Sequence, residues 1–201
     1  MRRSAESLGR GSRAVEIVTV GHSTHPIEVF IGLLQDHGIE AIADVRRFPG
    51  SRRNPQFGAR ALATALAKGD VAYESFADAL GGRRSSLQAT SGTGEGPGRS
   101  DNSAWRNVSF RAYADYMSGP AFATGLLQLE DLARSQRTAI MCAEAHPSRC
   151  HRRLIADALL ARDWRVLDLL GDGRIEAHAP SPHAVFEEGR VSYPSQASLE
   201  V

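Results

Sequence analysis

The chain has 201 residues, 42% of them hydrophobic and 23% charged, with a net charge of +1, the composition of one globular domain with its own core. Two cysteines cannot make a disulfide framework, and no apolar run approaches the ~20 residues that span a bilayer or resembles a secretory signal, so a cytoplasmic protein with reduced thiols and no membrane partner is expected. Lys68 is the only lysine among 24 basic residues; because a GC-rich genome also favours arginine over lysine, only clustered arginine argues for phosphate or carboxylate binding.

Residues 1–15 show no apolar periodicity and are expected to form a flexible N-terminal tail. EIVTVG, Glu16 to Gly21, is a β-branched run of strand length. After it Ile27, Phe30, Ile31 and Leu34 recur at helical spacing between Pro26 and Gly38. IEAIADV, Ile39 to Val45, is a second strand, and Ala59, Leu62, Ala63 and Leu66 mark a helix closed by Gly69. Val71 to Tyr73 is a short third strand. Gly81 to Asn102 is rich in glycine, serine and threonine and reads as a mobile loop. Beyond it, Phe110, Tyr113 and Met117 predict one helix, and Phe122, Leu126, Leu129 and Leu132 a second after Pro120. AIMC and RVLDLL read as strands flanking a helix that starts near Ser148. Residues 180–201 have no clear period and are expected to be a flexible C-terminal tail, leaving residues 16–179 as a single domain.

Strands alternating with helices predict an α/β fold of three layers, a mainly parallel sheet with helices on both faces in a Rossmann-like topology. Ligands of such sheets bind outside the carboxyl ends of the strands. Three predicted strands run into polar motifs there: GHS at 21–23, DVRRFPGSRRNPQF at 44–57 and CAEAHPSRCHRR at 142–153. If the strands are neighbours, His22, Ser23, Asp44, Arg46, Cys142, Glu144, Cys150 and His151 line one crevice.

These motifs, with LGG at 80–82 and FRAYADYM at 110–117, resemble a bacterial family catalogued as domain of unknown function 488, over about Val18 to His178. The resemblance implies an α/β fold and the signature residues Gly21, His22, Ser23, Asp44, Arg46, Pro49, Ser51, Cys142, Glu144, Cys150, His151 and Arg152. It implies no reaction.

The residues support several chemistries. A helix opening near Ser148 would offer the backbone N–H groups of Arg149, Cys150 and His151 to an anion, reinforced by Arg149, Arg152 and Arg153. The same arginines could instead lie in solvent. Cys142 or Cys150 could serve as a thiolate nucleophile, although free cysteine is also a common packed hydrophobe. Glu144 with His151 would suit acid/base work, or His151 could cap the apolar stripe of Leu154, Ile155 and Ala158. No metal site is predicted, because paired short spacings are missing and Cys150 and His151 would diverge by about 100° on a helix; Cys142, Glu144, Cys150 and His151 would be the ligands of one. In the second motif Arg46, Arg47, Arg52 and Arg53 accompany Phe48 and Phe57, a pairing suited to nucleotides or single strands; a solvated arginine turn whose two phenylalanines anchor it to the core is the alternative, and for those rings the favoured one. Asp44 is read as pairing with Arg46 to hold that loop.

The sequence therefore predicts a protein whose partner is a phosphate-bearing small molecule or nucleic acid, held between Arg46 and Arg149 with Ser51 and Arg152 nearby. Reaction on that ligand would be a thiol- or acid/base-dependent hydrolysis or transfer. A non-catalytic nucleic-acid-binding or regulatory module is the alternative, and a metal-dependent enzyme the third reading. The cofactor and oligomeric state are not legible.

Overall fold

A computed structural model of the chain describes residues 15–50, 52–84 and 101–195. Strand β1 (Glu16–Gly21) leads into α1 (Ile27–Asp36) and β2 (Ala41–Asp44). A 3-10 turn at Pro55–Phe57 precedes α2 (Ala59–Lys68), β3 (Ala72–Ser75) and a single helical turn, α3 (Ala77–Leu80). Helix α4 (Val108–Met117) is capped by the Asn107 side chain, which accepts from the Ser109 and Phe110 amides. Pro120 occupies the first turn of α5 (Pro120–Ser135), where its missing N–H is not needed. Then follow β4 (Thr138–Cys142), a 3-10 turn at Pro147–Arg149, α6 (Arg152–Leu160), β5 (Arg165–Leu169) and β6 (Ile175–Ala177).

The sheet has six strands in the order β3-β2-β4-β1-β5-β6. All neighbouring pairs are parallel except β5 with β6. The connections from β1 to β3 step outward one way, and those from β3 to β5 return the other way. That reversal places α1 and α2 on one face of the sheet and α3 to α6 on the opposite one. Strand residues serve the two faces alternately: Ile42 and Met141 meet Phe30, Leu34, Leu62 and Leu66, whereas Ala43, Ile140 and Cys142 meet Tyr113, Leu129, Leu154 and Ile155. The expected fold class is the observed one, three layers with a mainly parallel sheet.

Three local expectations change. The helix after β4 starts at Arg152 rather than near Ser148, because Cys150 is extended at φ −129°, ψ 144° and interrupts the chain between the 3-10 turn and α6. The segment expected to be a mobile loop at 81–102 is anchored at both described ends. Gly81 and Gly82 are buried, and the buried Asn102 donates to Asp115 and accepts from the Tyr193 amide; residues 85–100 lie outside the described residues.

The C-terminal segment to residue 195 is part of the domain, not a tail. A hairpin of β7 (Val185–Glu187) and β8 (Arg190–Ser192) turns through Glu188 and Gly189, both at positive φ, the conformation of the commonest tight hairpin turn. Past it, fully buried Tyr193 donates its hydroxyl to Asp157 at 2.9 Å. Asp157 also accepts from the Ser181 amide and hydroxyl. His178 lies between Asp157 and Asp168, its Nδ1 2.8 Å from Asp168, which accepts the Thr19 hydroxyl at 2.7 Å. These links attach the segment from His178 to Tyr193 to α6, β5 and β1. The N-terminal tail, residues 1–15, lies outside the description apart from Val15.

Candidate functional site

The strands β2, β4 and β1 are neighbours, with Gly21 opposite Cys142 and Asp44 opposite Met141. The three motifs therefore reach the same sheet edge, at the strand whose two neighbours send their helices to the other face. Such a reversal opens a crevice. The chain leaving β1 stays paired with the chain leaving β4 through His22 N–H to Cys142 O and Ser23 N–H to Ala143 O, each 3.0 Å. Glycine at 21 is required for this approach, since a Cβ there would lie 1.9 Å from the Glu144 carbonyl oxygen.

The expected single crevice divides into two groups, because consecutive strand residues point to opposite faces. His22, Asp44 and Arg46 form a buried latch on the side of α1 and α2. Arg46 donates Nε to Asp44 at 2.8 Å, Nη2 to its other oxygen at 2.6 Å, and Nη1 to the Phe57 carbonyl at 2.8 Å. Its Nη1 also lies 3.1 Å from His22 Nε2. Since His22 Nδ1 faces the Ser23 carbonyl at 2.9 Å, Nδ1 carries the proton and Nε2 accepts from Arg46. Burial, followed by the Arg46 charge, lowers the His22 pKa to about 4, so the ring is neutral. It stacks on Phe57 with centroids 4.1 Å apart. Tyr73 donates to Asp44 at 2.8 Å. Asp44 and Arg46 are thus the structural pair expected, but Arg46 only borders the cleft with its guanidinium already engaged. His22, Ser23 and Asp44 do not line it.

The second group is the cleft itself, about 620 Å³, lined by Cys142, Glu144, Arg149, Cys150, His151 and Tyr113 among others. A second hollow, of about 790 Å³, between α1 and α2 is lined by Glu28, Gln35, Arg60, Thr64 and Lys68 with aliphatic neighbours; it lies away from the strand ends and brings no thiol or imidazole together. At the floor of the cleft, Cys142 from the end of β4 meets Cys150 and His151. His151 Nδ1 is 3.6 Å from Cys150 Sγ and 4.0 Å from Cys142 Sγ. The break before α6 makes this convergence possible. On a continuous helix Cys150 and His151 would diverge; with Cys150 extended they meet, reversing the expectation against a shared ligand.

His151 is held from three sides. Its Nε2 donates to the Val45 carbonyl at 2.9 Å, leaving Nδ1 as the atom that faces both sulfurs. The Tyr113 ring meets its edge at 5.1 Å. Gly82 lies against the imidazole so closely that a Cβ would come within 2.8 Å of Nδ1. Tyr113 and Tyr116 donate to the Leu80 and Ala79 carbonyls at 2.7 Å, so α4 fixes LGG in place. Pairing of His151 with Glu144 is not observed, since Glu144 is exposed and the imidazole nitrogens face Val45 and the thiols.

The two thiols are unequal. The Cys150 hydrogen bond lowers the Cys142 pKa well below its ordinary value against the opposing effect of burial, and His151 adds to the lowering. Burial, then the bond to Cys142, raises Cys150. Cys142 is therefore the more acidic of the two thiols, and Cys150 the donor between them. The Arg152 amide donates to Cys150 Sγ at 3.5 Å.

Arg152 is not at the cleft. Fully buried, it donates Nη1 and Nη2 to the Glu144 and Ala145 carbonyls and holds the β4 exit loop. The expected anion nest also changes, because the Arg149 and Cys150 amides donate within the 3-10 turn to His146 and Pro147. Arg149 itself is exposed at the cleft rim, with Arg47, Arg83 and the 68%-exposed Phe48. Of the two rings expected either to stack on a ligand or to anchor the loop, Phe57 is fully buried as an anchor. Ser51 lies outside the described residues. Sequence reading missed Gly82, Tyr113 and Val45 as the supports of His151; LGG was visible, but nothing along the chain placed it against residue 151.

The family model for a Domain of unknown function, DUF488, matches residues 26–159, two thirds of the chain. The chain belongs to the DUF488 family. The matched residues include DVR, LGG, CAE and CHRR, and they are fewer at both ends than the resemblance over Val18 to His178. No curated protein and no solved structure matches the chain. No helix among the described residues is long and apolar enough to cross a membrane.

Proposed function

We propose that the cleft is the active site of an enzyme that takes a phosphate-bearing ligand, a nucleotide or nucleic-acid end, and hydrolyses it or transfers a group from it over Cys142, Cys150 and His151. The observation that carries this reading is the meeting, in one hollow, of arginines free for a ligand with two thiols and an imidazole at its floor. Arg149 and Arg83 line the cleft and make no ion pair among the described residues. Their forked guanidinium groups suit phosphate oxygens. Phe48 offers an exposed ring at the same rim for a base. A non-catalytic nucleic-acid module would use the same arginines but has no need of a cysteine pair ordered around a histidine.

The test measures affinity for a panel of nucleotides, pyrophosphate and inorganic phosphate by thermal shift and calorimetry. Arg149→Ala should weaken binding by about 1.5–3 kcal/mol, the worth of a charge-assisted hydrogen bond, with the fold unchanged. Phe48→Ala should weaken nucleotides but not inorganic phosphate. A ligand that binds Arg149→Ala as tightly as wild type overturns the reading.

A further inference from the structure

We infer that Cys142, Cys150 and His151 together hold one tetrahedral divalent ion of the zinc type, with its fourth position open to the arginine-rimmed cleft. This deepens the reading of the cleft as an active site by naming its cofactor class, and metal retention itself does not depend on anion binding.

The distances carry the inference. Zinc bonds of about 2.3 Å to sulfur and about 2.0–2.1 Å to nitrogen at the tetrahedral angle set sulfur and nitrogen about 3.6 Å apart, and two sulfurs about 3.8 Å apart. Here Nδ1 of His151 lies 3.6 Å from one sulfur and 4.0 Å from the other, and all three ligand atoms fall within 4.8 Å of one another. Adjustments of less than about an ångström close the site around an ion of those bond lengths.

The surroundings are those of a metal-ligating set. A ligating histidine characteristically donates its second ring nitrogen to a carbonyl or carboxylate, which fixes the ring and its lone pair. His151 does so through Nε2 to Val45. The Cys150 sulfur accepts the Arg152 amide, a bond suited to a thiolate. Both cysteines are more than nine-tenths buried, and in that setting both can lose their protons only beside a cation. A divalent ion supplies that charge: as the sulfur–metal bonds form, the thiol protons pass to solvent and the site of two thiolates and one dication is neutral. The ligand types select the metal class. Two sulfurs and an imidazole favour zinc over magnesium or calcium, which require oxygen ligands, and the Glu144 carboxylate stands outside the cluster. Three protein ligands with an open fourth position are the catalytic form of a zinc site, not the closed structural one. Cysteines acting only as packed hydrophobes would leave the aim of Nδ1 at both sulfurs without a role.

The experiment uses the full chain, reduced and stripped with chelator, then supplied with zinc or cobalt(II) chloride. One zinc per chain should be retained through gel filtration. The cobalt form should show a thiolate-to-cobalt charge-transfer band in the near ultraviolet and intense visible bands of tetrahedral cobalt. Cys142→Ser and Cys150→Ser should each lower zinc affinity more than ~100-fold, beyond the cost of losing an outer-shell partner. A folded wild-type chain whose cobalt spectrum lacks the thiolate band or has the weak octahedral form overturns the inference, whether or not the variants fold. So does equal zinc binding by a folded Cys142→Ser/Cys150→Ser variant. Metal retained with phosphate affinity unchanged in Arg149→Ala supports the zinc site while sinking the anion reading; the reverse pair of results sinks the zinc site alone.

Discussion

His178 should make the stability of this fold fall as pH rises above neutrality. Its ring is buried, which by itself would drive the proton off, but the Asp157 and Asp168 carboxylates outweigh burial and raise the pKa from 6.5 to about 9. Because the folded value lies above the unfolded one, the stabilisation is present in full below about pH 6.5 and disappears as pH passes about 9. At about 1.36 kcal/mol per pH unit, the difference between the two values is worth about 3 kcal/mol. The perturbation is His178→Gln, which keeps polarity and removes the titration. Urea unfolding followed by circular dichroism would give wild-type and variant stabilities from pH 6 to pH 9.5. The wild-type advantage should shrink by about 3 kcal/mol across that range, while both chains share the cysteine titrations, which cancel in the comparison. An advantage that stays constant across the range refutes the argument, for it would mean that His178 is neutral between its two carboxylates.

Asp44→Asn should cost about 3–5 kcal/mol, since it leaves the buried Arg46 guanidinium without its counter-charge; denaturant midpoints at unchanged m-value read this, and a loss below about 1 kcal/mol contradicts the latch. Gly21→Ala should destabilise by more than about 4 kcal/mol because its Cβ would overlap the Glu144 carbonyl. Gly32→Ala in α1, with nothing within 4 Å of its new Cβ, should instead gain up to about 1 kcal/mol. Equal effects of the two in thermal melts would contradict the close approach at the β1 exit. Tyr193→Phe should cost about 1.5–3 kcal/mol through the lost bond to Asp157. A wild-type melting curve for that variant would return residues 180–195 to the status of a tail.

The sequence by itself determined the elements whose periodicity is local. EIVTVG, IEAIADV and AIMC are apolar runs with both faces covered, as buried parallel strands are, and the amphipathic spacing of Phe30 and Leu34 or Leu62 and Leu66 needs no distant partner to be read. The alternation of those elements determined the sheet class, and the rule for strand ends brought GHS, DVR and CAE to one edge. β6 escaped because its three residues are exposed and too few to show a period. The β7–β8 hairpin escaped because its turn is Glu-Gly instead of the more telling Asn-Gly.

Tertiary structure alone decided which side chains of that edge meet. Strand alternation sends Asp44 toward Tyr73, and Arg46 with it toward the Phe57 carbonyl, on one side of the sheet and Cys142 to the other, so residues adjacent along the rim serve a structural latch and a chemical cleft respectively. It also decided the meeting of Cys150 with His151. Helical geometry forbids that meeting, and only the extended backbone at Cys150 permits it, with β4 in front and LGG, Tyr113 and Val45 holding the imidazole. Those supports come from positions 45, 82 and 113, joined to residue 151 by packing across the sheet and not by any spacing along the chain. A pattern of residue types can nominate a cysteine or an arginine, but its exposure, its partners and the aim of its polar atoms depend on contacts between segments distant in sequence.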